Sequence, residues 1–171
     1  MIDLMAWNAD ATRMPFRMHS EYLRRLFLDN DLAEGRFLVE GRPVALSDIR
    51  VPIFAVGTVN DHVAPWRSTY KINLQTETEV TYLLTSGGHN AGIVSEPGHA
   101  GRSFQVMTKK PDDHYLDPAT FAEAAPRHGG SWWPEWTAWL AAHSGGLIDP
   151  PRLAEHRKSL GDAPGTYVLG E

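Results

Sequence analysis

The chain has 171 residues, of which 42% are hydrophobic and 22% are charged, and its formal net charge is −5. This composition is typical of a soluble globular protein of about one domain, and it argues against nucleic-acid binding, which usually needs a concentrated cationic surface. No apolar run approaches the roughly 18 residues of a membrane span, and the absence of cysteine excludes disulfides, thiolate metal sites and a cysteine nucleophile within these residues.

The N-terminal part of the chain predicts one helix and one hairpin. Apolar residues spaced four apart predict a helix over residues 18–33, which Gly35 would end as a C-cap. A hairpin over residues 36–46 should follow and turn near Gly41. Pro43 marks the second arm as an edge strand or an incomplete strand, because proline has no N–H to donate. We interpret the helix and hairpin as an insertion, because the hairpin interrupts the alternation of helices and strands that is expected along the chain.

The middle of the chain predicts a βαβ unit. Residues 51–57 are apolar without alternation, which is typical of a strand buried on both faces of a parallel sheet. A helix that begins near Pro65 should lead to a second strand over residues 79–84. Asp61 follows the first strand and His89 follows the second. Both side chains are therefore expected at the carboxyl edge of the sheet, where ligands bind in open α/β folds.

The C-terminal part of the chain is loop-rich, with a short strand predicted over residues 103–108. Asp117, followed by proline, should start a short helix, because these residues are favoured at the N-cap and N1 positions. A second helix should begin at Ser131, and a modest third helix is expected over residues 153–160, before a tail. One face of the second helix would carry Trp132, Trp136, Trp139 and Leu140. This tryptophan cluster is interpreted as core or as an interface.

An acid after one strand and a histidine after the next reproduce the second half of an α/β-hydrolase triad, whose chain order is nucleophile, acid, histidine. A neutral His89 can take a proton from a thiol or hydroxyl nucleophile, while Asp61 fixes the tautomer and stabilises the imidazolium. Asp61 could instead cap the helix near Pro65, but its order relative to His89 favours the catalytic interpretation. No G-x-S-x-G or G-x-C-x-G turn is present. The predicted fold is therefore the C-terminal part of an α/β-hydrolase fold that lacks the N-terminal half of its sheet.

Three further histidines are candidate metal ligands together with Asp61 and His89. His62, His99 and His114 show no H-x-x-x-H or H-x-H spacing, so a metal site is not expected. His62 is interpreted as a polar residue at the end of a strand.

Several segments resemble the C-terminal region of poly(3-hydroxyalkanoate) synthases. The three that carry most of the resemblance are 61–66 (DHVAPW), 88–94 (GHNAGIV) and 130–140 (GSWWPEWTAWL). Residues 7–12, 22–24 and 163–168 are also similar to that family, in the family's order. The resemblance implies that Asp61 and His89 correspond to the catalytic aspartate and histidine of the family. Two departures are the absence of the cysteine-bearing box and a different sequence at Asn90 and 95–98.

The resemblance also implies a function. Members of the family are acyltransferases that polymerise (R)-3-hydroxyacyl-CoA into a polyester on a cysteine thioester and release coenzyme A. It implies no metal or other cofactor, cytoplasmic action at the surface of storage granules, and a dimer in the active state. An N-terminus without a secretory signal fits the cytoplasm. Without the cysteine, the chain is expected to be inactive alone and to pair with the missing N-terminal part.

The whole chain, 1–171, is thus predicted to be one partial catalytic domain. It would comprise a helix-and-hairpin insertion (1–50), the βαβ unit (51–94) and a loop-rich segment with the tryptophan helix and tail (95–171). Three alternatives stay open. One is the remnant of another α/β-hydrolase, an esterase or thioesterase, which leaves the tryptophan helix unexplained. The second is a non-catalytic half-domain that binds granules or a complete synthase. The third is the product of a truncated gene with no function of its own.

Overall fold

The computed structural model describes residues 11–150 together with Met5 and Ala9. The helix predicted over residues 153–160 and the segment 163–168 lie outside the described residues. The chain divides into two compact units, and the larger one, Leu23–Ser144, contains every strand of the described part. None of the helices in that part has the length and hydrophobicity needed to span a bilayer.

The helix predicted over residues 18–33 is shorter than expected. Helix α1 spans Phe16–Tyr22, and the larger unit begins with a π-helical segment, Leu23–Leu28. The predicted C-terminal bound is wrong because Asn30 adopts a φ of 53°. This left-handed backbone conformation is incompatible with a continuing right-handed helix.

The predicted hairpin is confirmed. Strands β1 (Phe37–Val39) and β2 (Arg42–Val44) pair antiparallel and form a two-stranded sheet of their own. Glu40 and Gly41, the two residues between them, both have positive φ, at 50° and 78°. Positive φ at both central residues is the requirement of a type I′ turn, which matches the twist of a hairpin. A short 3₁₀ helix, Leu46–Asp48, follows.

The main sheet has four strands, which lie side by side in the order in which they follow one another in the chain. The first pair is parallel and the other two pairs are antiparallel, so the sheet is mixed and the fold belongs to the α/β class. The strands are β3 (Ile53–Thr58), β4 (Val80–Thr85), β5 (Ser103–Lys109) and β6 (Arg127–Gly129). All of β4 is buried, whereas the first four residues of β3 are only half-buried. The prediction of a first strand buried on both faces was therefore wrong, because β3 lies at the edge of the described sheet.

Short helices connect these strands, and one further helix follows the last strand. They are α2 (Trp66–Thr69), α3 (Ile72–Gln75), α4 (His89–Ile93), α5 (Pro118–Ala124) and α6 (Trp133–Ala142). The connection from β3 to β4 thus contains two short helices instead of the single helix expected after Pro65. Asp117 caps α5 as predicted, since its carboxylate accepts hydrogen bonds from the N–H groups of Ala119 and Thr120.

Two hydrophobic clusters pack on alternate residues of β4, as the two-residue period of a strand requires. Tyr82 and Leu84 join the cluster on one side, while Leu83 joins the cluster on the other. The first cluster is completed by Tyr70, Phe121 and Ala125, and the second by Phe104 and Trp132. The buried strand β4 therefore carries both cores and fixes the position of the loop that follows it.

Candidate active site

The loops that carry Asp61 and His89 leave the same edge of the sheet. Because β3 and β4 are parallel and in register, Thr58 lies opposite Thr85 at their carboxyl ends. Backbone hydrogen bonds continue between the two loops, from Val59 N–H to the carbonyl of Thr85 and from Asn60 N–H to the carbonyl of Gly87. The strand pairing thus extends into the loops and brings them together.

Asp61 and His89 are in direct contact, although they are 28 residues apart in the chain. The Nδ1 atom of His89 lies 2.9 Å from Oδ2 and 3.1 Å from Oδ1 of Asp61. The aspartate side chain is only 8% exposed, whereas the histidine side chain is 46% exposed. Nε2 of His89 has no hydrogen-bond partner among the described residues. The imidazole therefore contacts the carboxylate through Nδ1, while Nε2 stays available to another group.

Three further hydrogen bonds hold the Asp61 carboxylate. Oδ1 accepts from the N–H groups of Val63 (2.9 Å) and Ala64 (2.8 Å), and Oδ2 accepts from the Thr58 hydroxyl (3.2 Å). The N–H of Ala64, followed by His89 and the N–H of Val63, lowers the pKa of Asp61 to about 2. The carboxylate is therefore ionised at neutral pH. It organises its own loop and orients His89 at the same time.

Glycines allow the histidine loop to lie close to β3. Gly87 has a φ of 105°, and a Cβ built on it would stand 2.9 Å from the Cα of Gly92. A Cβ on Gly92 would stand 2.6 Å from the methyl carbon of Thr58. Any other residue at these positions would push helix α4 away from the end of β3. The glycines that flank His89 in the sequence thus permit contact between backbone segments.

The other histidines considered in the sequence lie outside this pair. His62 is exposed, and His99 forms an ion pair with Glu96 at 3.0 Å. His114 lines a cavity of about 180 Å³ whose walls also include Thr108 and Lys109. Those two residues pair with the first residues of β4, so this cavity lies at the end of the strands remote from His89. Among the described residues, no group of three or more His, Cys, Asp or Glu is placed to hold a metal ion.

Two indole groups donate hydrogen bonds to the helix that begins at His89. These contacts were not predicted from the sequence. Trp132 and Trp133 donate hydrogen bonds to the carbonyls of Gly92 and Ile93. The apolar spacing of the tryptophans indicated a core or an interface, and Trp132 is indeed buried. The hydrogen bonds leave no periodic signal in the sequence, because they join segments 40 residues apart.

The chain is similar to several curated proteins, although no protein-family model matches it. It is 38% identical to the poly(3-hydroxyalkanoate) polymerase of Methylorubrum extorquens over 168 residues, which cover 97% of this chain and 27% of that protein. Identity to the polymerase subunit of Cupriavidus necator is 36% over 169 residues, with 97% and 28% covered. Identity to poly(3-hydroxyalkanoate) polymerase 1 of Ectopseudomonas oleovorans is 32% over 171 residues, which cover 98% of this chain and 30% of that protein.

The chain spans less than a third of the length of these relatives, but the match includes almost all of its own residues. The predicted resemblance is confirmed by proteins from different organisms at similar levels of identity. By sequence, therefore, this chain is similar over nearly all of its residues to one part of the poly(3-hydroxyalkanoate) polymerases, a part that makes up between 26% and 30% of their length.

Proposed function

We propose that the chain is the C-terminal portion of a poly(3-hydroxyalkanoate) polymerase with an α/β-hydrolase fold, and that Asp61 and His89 belong to its catalytic site. The observation that carries this proposal is the contact between Nδ1 of His89 and the Asp61 carboxylate at the carboxyl edge of β3 and β4. The similarity to polymerases over 97% of the chain supports it.

In this proposal His89 acts as a general base. Asp61 accepts the Nδ1–H of the imidazole, which leaves Nε2 unprotonated and able to take a proton from a nucleophile. Asp61 then stabilises the imidazolium. The carboxylate suits this role because it is buried and ionised, and because it is fixed by bonds to Thr58, Val63 and Ala64. No metal or other cofactor is required for this proton transfer.

The nucleophile would be a cysteine thiol from polypeptide beyond these 171 residues, since the chain has no cysteine. His89 would remove the thiol proton, and the thiolate would attack the thioester carbonyl of an (R)-3-hydroxyacyl-CoA. The carbon–sulfur bond to coenzyme A breaks, the coenzyme A sulfur takes the proton from His89, and the acyl group remains on the cysteine. The hydroxyl of a second (R)-3-hydroxyacyl-CoA then attacks this thioester, and His89 takes the hydroxyl proton. The bond to the cysteine sulfur breaks, the cysteine regains a proton from His89, and the ester bond so formed lengthens the polyester.

A chimera tests this proposal. The corresponding segment of the Cupriavidus necator polymerase subunit would be replaced by this chain, and coenzyme A release from (R)-3-hydroxybutyryl-CoA would be measured. We expect the chimera to be active and the isolated chain to be inactive. Replacement of a base or its acid in a comparable triad lowers kcat by about 10⁴-fold or more, so His89→Gln and Asp61→Asn should nearly abolish turnover.

His99→Gln is the matched control, because His99 also contacts a carboxylate, that of Glu96, but lies on the surface. This variant should keep the activity of the parent chimera. Unchanged turnover in the His89→Gln chimera would contradict the catalytic assignment. Polymerisation by the isolated chain would contradict the need for an external nucleophile.

The proposal also includes action at the surface of polyester granules in the cytoplasm, and pairing with a complementary N-terminal part or with a second copy. Co-sedimentation of the isolated chain with purified granules tests the first point. Turnover in the chimera that depends on His89 would favour the polymerase, whereas granule binding by the isolated chain together with an inactive chimera would favour the alternative of a non-catalytic granule-binding half-domain.

A further inference from the structure

We propose that Ser131, Trp132 and Trp133 are positioning residues for His89, which they hold in place through the carbonyl groups that follow it. This inference rests on the proposed function only in assigning His89 the role of base. It assigns a role to the indole N–H groups of the tryptophan-rich segment, which core packing alone does not explain.

Three consecutive residues bond to three nearby carbonyl groups. Trp132 Nε1 donates to the carbonyl of Gly92 at 3.1 Å, and Trp133 Nε1 donates to the carbonyl of Ile93 at 2.9 Å. The Ser131 hydroxyl donates to the carbonyl of Ser95 and accepts from the N–H of Trp133 at 3.1 Å. One short segment thus satisfies carbonyls at the end of helix α4 that have no partner further along the helix.

Helix α4 needs such external support. It has only five residues, and His89 is the first of them. A helix this short is not stable by itself, because its few internal hydrogen bonds do not offset the cost of nucleation. The orientation of His89 is therefore decided by what α4 contacts.

Two parts of the fold contact α4 at Gly92. Gly92 packs against Thr58, whose hydroxyl donates to Asp61. The carbonyl of Gly92 accepts from Trp132, which is 5% exposed and packs in the core with Leu83. The histidine helix thus contacts both the end of β3 and a tryptophan that packs against the main sheet.

The indole N–H groups distinguish positioning from ordinary packing. A phenylalanine at either position would fill much of the same apolar space, but it could not donate to a carbonyl. The loss of one such bond should loosen α4 by a fraction of an ångström to about an ångström, and a misplacement of this size can lower the rate about 100-fold.

The first test uses the 171-residue chain and needs no turnover. Long-range ¹H–¹⁵N correlations of the His89 ring, recorded where imidazole is neutral, show which nitrogen carries the proton. We expect Nδ1–H in the parent chain and a mixture of both tautomers in Trp133→Phe. Trp136→Phe is the matched control, because the Trp136 indole lies beside Trp132 but donates to no carbonyl of the described α4 region.

The second test uses the active chimera. Trp133→Phe should lower kcat by about 10- to 100-fold with little change in KM, while Trp136→Phe should stay within about twofold of the parent. Ser131→Ala should act like Trp133→Phe, and Ser131→Thr, which keeps the hydroxyl, should restore the parent tautomer. The Ser131 variants serve as a second route if Trp133→Phe does not fold.

Two results would overturn the inference. One is a parent-like tautomer in both Trp133→Phe and Ser131→Ala, and the other is equal loss of kcat in Trp133→Phe and Trp136→Phe. Failure of the proposed function is a different result: the His89→Gln chimera would remain active, while the tautomer measurement would still report whether residues 131–133 hold the imidazole.

Discussion

The hydroxyl of Tyr82 occupies the space that a side chain on Gly57 would need, so that a Cβ built on Gly57 would overlap this oxygen. The hydroxyl lies 2.7 Å from the Thr69 hydroxyl and donates to the carbonyl of Trp66 at 3.0 Å. Burial raises the pKa of Tyr82 to about 12. The lack of a side chain at one position of β3 thus allows β4 to be tied to helix α2, which follows the Asp61 loop.

Gly57→Ala should therefore destabilise the protein. Insertion of a methyl group into a packed site typically costs about 1–3 kcal/mol, and here it also displaces a hydrogen-bonded hydroxyl. Tyr82→Phe removes the oxygen that the new methyl group would meet, so the double variant should be less destabilised than the sum of the two single variants. Urea unfolding of the four proteins measures this coupling. Strict additivity would show that the overlap is relieved elsewhere.

Asp61→Asn should change how stability depends on pH. The pKa of Asp61 is lowered from 3.8 to about 2 by the N–H of Ala64, by His89 and by the N–H of Val63. A lowered pKa contributes stability that is complete above the unfolded value and is lost as pH falls through the folded value. The difference in Tm between parent and Asp61→Asn should thus shrink as the pH falls from about 4 towards 2. A difference independent of pH would contradict these contacts.

Ser95→Ala should leave stability unchanged or increase it. The Ser95 side chain is fully buried, and its hydroxyl has no hydrogen-bond partner in the described part of the chain. A buried polar group without a partner costs about 1–3 kcal/mol, so removal of this oxygen should offset the small loss of volume. Ser131→Ala is the contrasting variant, because that hydroxyl is bonded at both ends, and it should lower Tm. A clear fall in Tm for Ser95→Ala would indicate a buried water at this position.

Gly92→Ala should displace the histidine helix. The new Cβ would stand 2.6 Å from the methyl carbon of Thr58 and 3.0 Å from the carbonyl oxygen of Ser86, and neither strand end can move easily. We expect a lower Tm together with loss of the single His89 tautomer. Gly88→Ala is the matched control, since a Cβ there would meet only the carbonyl oxygen of Asn60 at 3.6 Å. Equal effects of the two substitutions would show that space at Gly92 is not the cause.

The sequence was sufficient to predict the βαβ unit and the contact between Asp61 and His89. Two apolar runs, each followed by a polar loop, are a strong pattern, and parallel register then brings the two loops to the same edge. The degree of burial of the first strand could not be predicted in the same way. Half-burial of β3 depends on its edge position in the sheet order, which no local pattern reports.

Features that depend on single backbone conformations or on distant hydrogen bonds could not be predicted. The left-handed conformation of Asn30 ends the first helical region before residue 33, the predicted bound. The hydrogen bonds from Trp132 and Trp133 to helix α4 could not be predicted either. A hydrophobic pattern indicates that a tryptophan is buried, but it carries no information on which acceptor the indole N–H contacts. Both features are decided by three-dimensional packing.

The local origin of the Asp61–His89 contact has a consequence for synthesis on the ribosome. Among the described residues, the partners of the Asp61 carboxylate all lie between Thr58 and His89, so the pair can form as soon as the βαβ unit has emerged. The indoles that hold α4 follow 40 residues after their acceptors, which at about 5–20 residues per second is a delay of about 2–8 s. During that interval the nascent chain should carry an acid–base pair whose histidine helix still lacks its hydrogen bonds from Trp132 and Trp133.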